Sequence, residues 1–319
     1  MRDQWAEAFA ERARTWWTEP RLQDLLRGKK LHVLPHEAPA LLRALGILHR
    51  DGSMPPAQRR KFFQINHMVA ALGPSIRELV AARARHASDA PIRVIDAGCG
   101  RSYLTLLLAH TFKNSFGVPV EVLAVDRNEA LVEESRRRTE LAGLSAQVRH
   151  RACALDALDG RSAFAQAFSY GPEGVSIDAV VGLHACDTAT DDAIVLGVRA
   201  GATLLALTPC CQAELAARWK ALADRSVGAF APIHRSPHLR RETAALVTDT
   251  MRGLLLRAAG YQSWVLELVP TEHTPKNLLL RAMRRDAPDP DAIRAYEALR
   301  ESTGGAGITL ADRLAALNG

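Results

Sequence analysis

The chain has 319 residues, room for one large α/β domain with an appended region or for two modest domains. Hydrophobic residues make up 48% and charged ones 24%, the mix of a globular protein with a sizeable core, and the net charge is +6. No apolar run approaches the roughly 20 residues that cross a bilayer, and the N-terminal MRDQWAEAFAERARTWW lacks a signal peptide's apolar stretch, so no membrane association and a cytoplasmic location are expected.

The first 90 residues read as helical. DQWAEAFAERARTWW and PALLRALGILHR place apolar residues at helical spacing, the second running into the DGSMPP turn. KFFQINHMVAALGPSIRELVAARARHA reads as two further helices interrupted near Gly73 and Pro74. Between Met1 and Lys61, 12 Lys or Arg stand against 7 Asp or Glu, an excess of +5. That excess either faces a polyanion such as RNA or is the solvated surface of helices on which acids are interleaved.

At Pro91 the pattern changes. IRVIDAGCG is a short apolar run ending in glycines, and SYLTLLLAHTF follows it as a helix; VEVLAVDRN and EALVEESRRRTELAGL repeat the pair. VRHRACAL, IDAVVGLHACD and ATLLALTPCC supply a third, fourth and fifth strand, with helices over DDAIVLGVRA and QAELAARWKALADR. After a long helix, HLRRETAALVTDTMRGLLLRAAG, come YQSWVLELV and NLLLRAMRR, two late strands that fit an antiparallel addition. Apolar strands alternating with helices predict an α/β fold with a mainly parallel, seven-stranded sheet covered on both faces. The expected organisation is a helical region over 1–90, a nucleotide-binding domain over 91–285 and a helical tail over 286–319, with a helix in DAIRAYEALRES and a break at Gly304 and Gly305.

Asp96, Gly98 and Gly100 fall at the end of the first strand and its turn. Glycines there free the backbone and clear side chains from a ligand's path, while the helix from Ser102 points free N–H groups at the same space. The segment DAGCGRSY has Tyr103 where a dinucleotide site would carry its third glycine, and Asp96 adds a carboxylate that suits a zwitterionic amino-acid group better than a pyrophosphate. Asp126 closes the second strand, where its paired oxygens can accept from a ribose diol. The competing structural roles are helix caps, Asp96 for the helix after the turn and Asp126 for the helix containing Glu129. Cys153, Ala154 and Leu155 line the adenine edge or are simply strand residues.

Ligands of open α/β sheets meet side chains at the carboxyl ends of strands. Two polar segments fall there, GLHACDTATDD from Gly182 and LTPCCQAEL from Leu207. His184 can take a proton or orient a substrate, and Asp187 can pair with it, accept from an amine, or cap the next helix. Cys210 and Cys211, after Pro209, stand near a helix start; a thiolate there, with Cys186 across the site, outlines the covalent chemistry of RNA cytosine-C5 methyltransferases, although HACD lacks that family's proline. Pocket-lining thiols without a covalent role are the alternative. The five cysteines are odd in number and without scaffold spacing, which argues against disulfides, and adjacent cysteines without a CxxC pair argue against zinc or another metal. Lys276 and Asn277, in the turn TEHTPKNLLLRA, are candidate substrate contacts.

The segments VIDAGCGRSYLTLLLAH, GLHACDTATDDAI, TPCCQ and HTPKN together resemble the bacterial members of a methyltransferase-domain family, over about residues 60–285, with LHAC and PCC more specific than the glycine turn. That family is related to a eukaryotic protein with a glutathione-transferase C-terminal-like domain and is more distantly similar to a tRNA 2′-O-methyltransferase acting near the acceptor stem. The resemblance implies a class I methyltransferase (Rossmann-like) fold and S-adenosylmethionine as cofactor, with Asp96, Gly98 and Gly100 at the cofactor turn and Asp126 on the ribose. His184, Cys186, Asp187, Pro209, Cys210 and Cys211 match its site segments, and KFFQINHMV looks like its pre-domain segment, expected to fold over cofactor or substrate. Asp187 stands where relatives carry the glycine of LHACG, and Gln212 where they often carry the tyrosine of CCY. Methyl transfer to RNA by direct SN2 displacement is the expectation. A small-molecule or protein methyltransferase and a non-catalytic cofactor-binding module are its alternatives, and neither an obligatory protein partner nor an oligomeric state follows from the residues.

Overall fold

A computed structural model describes residues 2–84, 90–171, 175–183, 188–209, 212–267, 278–285 and 287–317. The chain divides into two compact units, Met1–Cys153 and Ala154–Gly319.

In the first unit β1 (Ile92–Ala97), β2 (Val120–Asp126) and β3 (Val148–Ala152) lie side by side in the order β3-β2-β1, all parallel. β1 and β2 are buried almost end to end, which is why their sequences are continuous apolar runs rather than alternating ones. β3 is more open and carries Arg149 and Arg151, charges that blunt an edge strand against further pairing. Helices α5 (Tyr103–Ser115) and α6 (Glu129–Leu141) follow β1 and β2 and pack on β2 and β3.

The N-terminal region is helical as expected, through α1 (Arg2–Trp16), α2 (Glu19–Leu26), α3 (Pro39–Ala44) and α4 (Pro56–Ala84). The expected break near Gly73 and Pro74 is absent: α4 is one helix of 29 residues with Pro74 inside it. The ring is exposed, as is Ala70, whose carbonyl loses its helical donor and can turn to water, whereas Leu72, Gly73, Ser75 and Ile76 around the proline are buried. Packing on both sides of Pro74 outweighs the local penalty. The buried Asn66 of α4 fixes the preceding chain: its Oδ1 accepts from the N–H of His32 (3.0 Å) and Val33 (2.8 Å), and its Nδ2 donates to the carbonyls of Val33 (3.2 Å) and Phe62 (3.1 Å).

In the second unit β4 (Ala179–Gly182) and β5 (Leu204–Leu207) are parallel and wholly buried. Of the two late strands, β7 (Leu278–Arg284) runs antiparallel between β5 and β6 (Tyr261–Glu267). Five-residue α10 (Ala231–Arg235) joins α9 (Glu214–Leu222) to the long α11 (Pro237–Ala258), and α12 (Pro290–Ser302) and α13 (Leu310–Ala315) pack against α11. α7 (Gly160–Phe168) and α8 (Thr188–Ala200) complete the unit; the apolar spacing of α7, α10 and α13 is too short to read as a helix in sequence. Gly197 lets α8 settle onto the sheet, since a Cβ there would collide with Leu205 Cδ2.

A buried charge cluster ties α8 to α11. Arg252 Nε donates to Asp191 Oδ1 at 2.7 Å and its Nη1 to Asp249 Oδ1 at 3.0 Å, and all three side chains are no more than 4% exposed. Burial pushes both carboxyls above their usual range, and the guanidinium pulls each back.

The strand order over the chain is β3-β2-β1-β4-β5-β7-β6, the α/β, mainly parallel, seven-stranded architecture with a helical N-terminal region that the strand rhythm predicts. Among the described residues no helix is long and apolar enough to cross a membrane.

Candidate functional site

The carboxyl ends of β1, β2 and β3 are brought together by the parallel register, which pairs Asp96 with Ala124 and Asp126 with Ala152. Past β1 the chain turns sharply: the N–H groups of Gly98 and Cys99 both donate to the Val125 carbonyl at 2.9 Å, and that of Ser102 to the Cys99 carbonyl at 2.7 Å. Gly98 (φ 76°) and Gly100 (φ 51°) both occupy the left-handed region, and a Cβ at Gly100 would meet no atom within 4 Å, so the space over the turn is open. Ser102 is left-handed too (φ 56°) and wholly buried, strain held at the start of α5.

Asp126 holds this turn from the end of the neighbouring strand β2. One oxygen accepts from the Gly100 N–H at 2.8 Å and the other from the Asn128 N–H at 2.9 Å. The cap of α6 is Asn128, which accepts from the Leu131 N–H, so the capping role weighed for Asp126 belongs to its neighbour. A carboxylate offers about four acceptor positions, so two remain for a diol. Ser135 of α6 completes the frame by donating to the Gly100 carbonyl at 2.9 Å.

Asp96 does not cap α5 either. It is 1% exposed, and one oxygen accepts from the Thr105 hydroxyl at 2.5 Å while Oδ1 is buried with no hydrogen-bond partner. Burial raises its carboxyl to about 7 against the pull of Thr105, and the nearby charge of Asp126 adds to the rise. An unpartnered buried carboxylate oxygen under an open glycine turn fits the amino-acid end of S-adenosylmethionine, whose ammonium would favour the charged form. The residues present therefore suit the cofactor: Gly98, Gly100 and Asp96 for its methionine end, Asp126 for its ribose. Cys153 follows β3, half-buried, with its N–H on the Asp126 carbonyl at 3.0 Å, and Ala154 after it is exposed. Cys99 is buried in the turn, and burial together with the Asp96 charge pushes its thiol up, so it is unsuited to act as a nucleophile.

Tyr103 has a role that sequence reasoning missed. Its hydroxyl accepts from Lys61 Nζ at 2.5 Å, the same ammonium lies 3.9 Å from the ring centroid and also reaches the Leu45 carbonyl, and the Arg138 guanidinium lies 5.2 Å from the ring. Burial raises the phenol, but Lys61 and Arg138 outweigh it and bring it below its usual range. The KFFQINHMV segment is thus fastened to the first residue of α5. Thr105 and Ser135 were also missed, because their partners lie nine and 35 residues away and meet them only through the fold.

His184, Cys186, Asp187, Cys210, Cys211, Lys276 and Asn277 lie outside the described residues. The strand ends from which two of these segments leave are neighbours: Gly182 pairs with Leu207, and the Thr208 N–H donates to the Gly182 carbonyl at 2.8 Å. Pro209 is buried just beyond. Gln212, the residue after Cys211, donates to Asp249 Oδ2 at 2.8 Å and so ties that end of the segment to the buried charge cluster.

Residues 60–218 match the model of a family described as a methyltransferase domain. No curated protein matches the chain. Among solved structures, an uncharacterized protein from Listeria monocytogenes is 14% identical with a TM-score of 0.34, covering 62% of this chain and 64% of its own, so this chain spans just under two thirds of that relative. An rRNA methylase from Streptococcus thermophilus is 17% identical over 61% of this chain and 88% of its own, with a TM-score of 0.37. An S-adenosylhomocysteine-bound methyltransferase from Podospora anserina is 9% identical over 85% and 97%, with a TM-score of 0.42. At such identities and scores the assignment rests on the family match and on the geometry of the turn. Residues 60–218 are thus similar to the methyltransferase-domain family, and the turn between β1 and α5 suits S-adenosylmethionine.

Proposed function

We propose that the chain methylates RNA, tRNA or rRNA, by direct displacement at the sulfonium methyl of S-adenosylmethionine. The bound cofactor supplies an electrophilic methyl group. An acceptor oxygen or nitrogen would displace that methyl in line from the sulfonium sulfur, and Asp187 or His184 would take the proton the acceptor loses. Holding the two reactants in line and excluding water supplies much of the rate. Asp96, Gly98, Gly100, Asp126, Cys153 and Ala154 serve the cofactor, whereas Cys186, Pro209, Lys276 and Asn277 face the acceptor. Cys210 and Cys211 are the candidate nucleophiles of a covalent route, and alanine replacement of each and of both tests it: retained activity in both single variants and in the double variant would reject it.

The observation that carries RNA is unpaired positive charge. Of the Lys and Arg side chains described up to Lys61, Arg59 alone faces a carboxylate, Asp24 at 3.7 Å; Arg21, Arg43 and Lys61 reach carbonyls instead. Basic charge without internal partners is the footprint of a phosphate-bearing ligand. The test is transfer of a labelled methyl group from the cofactor to cell extract resolved into RNA, protein and metabolites. Label in an RNA fraction is expected; label confined to protein or metabolites rejects the reading.

A further inference from the structure

We infer that the groove between α9 and α11 is a track for single-stranded RNA that leads to the segment following β5; this rests on the RNA reading above and extends it to a named surface. The groove has a volume of about 570 Å³ and opens at Gln212, next in the chain to Cys211. That volume is within the roughly 300–1,000 Å³ of specific ligand recesses. Its floor is made of small side chains from both helices, Ala216 and Ala217 on α9 and Ala245 on α11. Alanines leave a smooth apolar surface along which a sugar and a base can lie.

The walls are basic. Lys220 comes from α9 and Arg240 and Arg241 from α11, against one acid, Glu242. Several other arginines of this unit face carboxylates: Arg218 faces Glu214, Arg252 faces Asp191 and Asp249, Arg257 faces Asp289, Arg300 faces Glu297 and Glu301, and Arg313 faces Asp192. Among the described residues Lys220 and Arg241 have no carboxylate partner, and both are exposed. Arg240 uses one nitrogen on the His234 carbonyl at 2.5 Å and keeps its charge.

Three cations on the two sides of one groove, Lys220 from α9 and Arg240 and Arg241 from α11, with a single acid among them, fit a phosphodiester backbone. At the inner end of the groove Gln212, next in the chain to Cys211, is held by Asp249, which Arg252 holds in turn.

The test uses the full chain, a fluorescein-labelled uridine 12-mer and fluorescence anisotropy over a series of salt concentrations. The double variant Lys220→Gln/Arg241→Gln is expected to bind about tenfold more weakly. Its log K against log salt should be shallower by about 1.4, two phosphate contacts at about 0.7 each for a single strand. Arg294→Gln, whose charge is paired with Asp291 outside the groove, should stay within about twofold of wild type. Unchanged affinity for S-adenosylhomocysteine in the double variant shows that it is folded. If the wild-type chain binds no oligonucleotide, the RNA reading fails and this inference with it. If the wild type binds and the double variant matches it, only the groove is refuted. Displacement of the 12-mer by oligoglutamate of equal charge at equal concentration would also overturn the inference, in favour of an acidic protein segment.

Discussion

Asp96 carries the sharpest electrostatic tension of the cofactor turn. Its carboxyl titrates at about 7 in the folded protein and at 3.8 as an unperturbed group, so between those values the folded chain keeps a proton that the unfolded chain has released. The stability this contributes is fully present below the unfolded value and is lost as pH rises through about 7. Thermal melts should therefore show a falling contribution between about pH 4 and about pH 7 that Asp96→Asn removes; an identical pH profile in the variant would contradict the burial cause. Cofactor binding has the opposite sense, since an ammonium near Oδ1 favours the ionised carboxylate. S-adenosylhomocysteine should bind more tightly at about pH 8 than at about pH 6 and release protons at the lower pH, measurable by calorimetry in buffers of different ionisation enthalpy.

At the scale of elements, the strands and the helices that flank them were legible because burial on both faces writes β1, β2, β4 and β5 as apolar runs ended by turn residues. α4 was misread because the rule for proline is local, whereas the burial around Pro74 that keeps the helix whole is set by tertiary packing. The residues of the turn could be named from sequence. The bonds from Asp126 to Gly100 and from Thr105 to Asp96 could not, because they depend on strand register and on how α5 docks. Two substitutions test the packing. Gly197→Ala should destabilise by about 1–3 kcal/mol in urea unfolding through overpacking against Leu205. Asn66→Leu should cost about 3 kcal/mol, because the buried Val33 N–H and carbonyl lose their partner; a neutral effect in either would refute the corresponding contact.

For the molecule as a whole, the placing of charge separates scaffold from working surface. The Asp191–Arg252–Asp249 cluster is interior and structural: Arg252→Met should destabilise by about 3–5 kcal/mol at about pH 8 and by less at about pH 5, where the stranded carboxyls take up protons. The unpaired cations of the first 61 residues and of the α9–α11 groove lie where a polyanion can reach them. All of this function depends on the turn between β1 and α5 holding the cofactor, with Asp126 bonded to it. Calorimetric titration with S-adenosylhomocysteine and, separately, NADH tests that claim most directly. Wild type should bind the first and not the second, and Asp126→Ala should lose at least about tenfold in affinity, about 1.4 kcal/mol. Binding of NADH without S-adenosylhomocysteine, or undiminished affinity in Asp126→Ala, would contradict it.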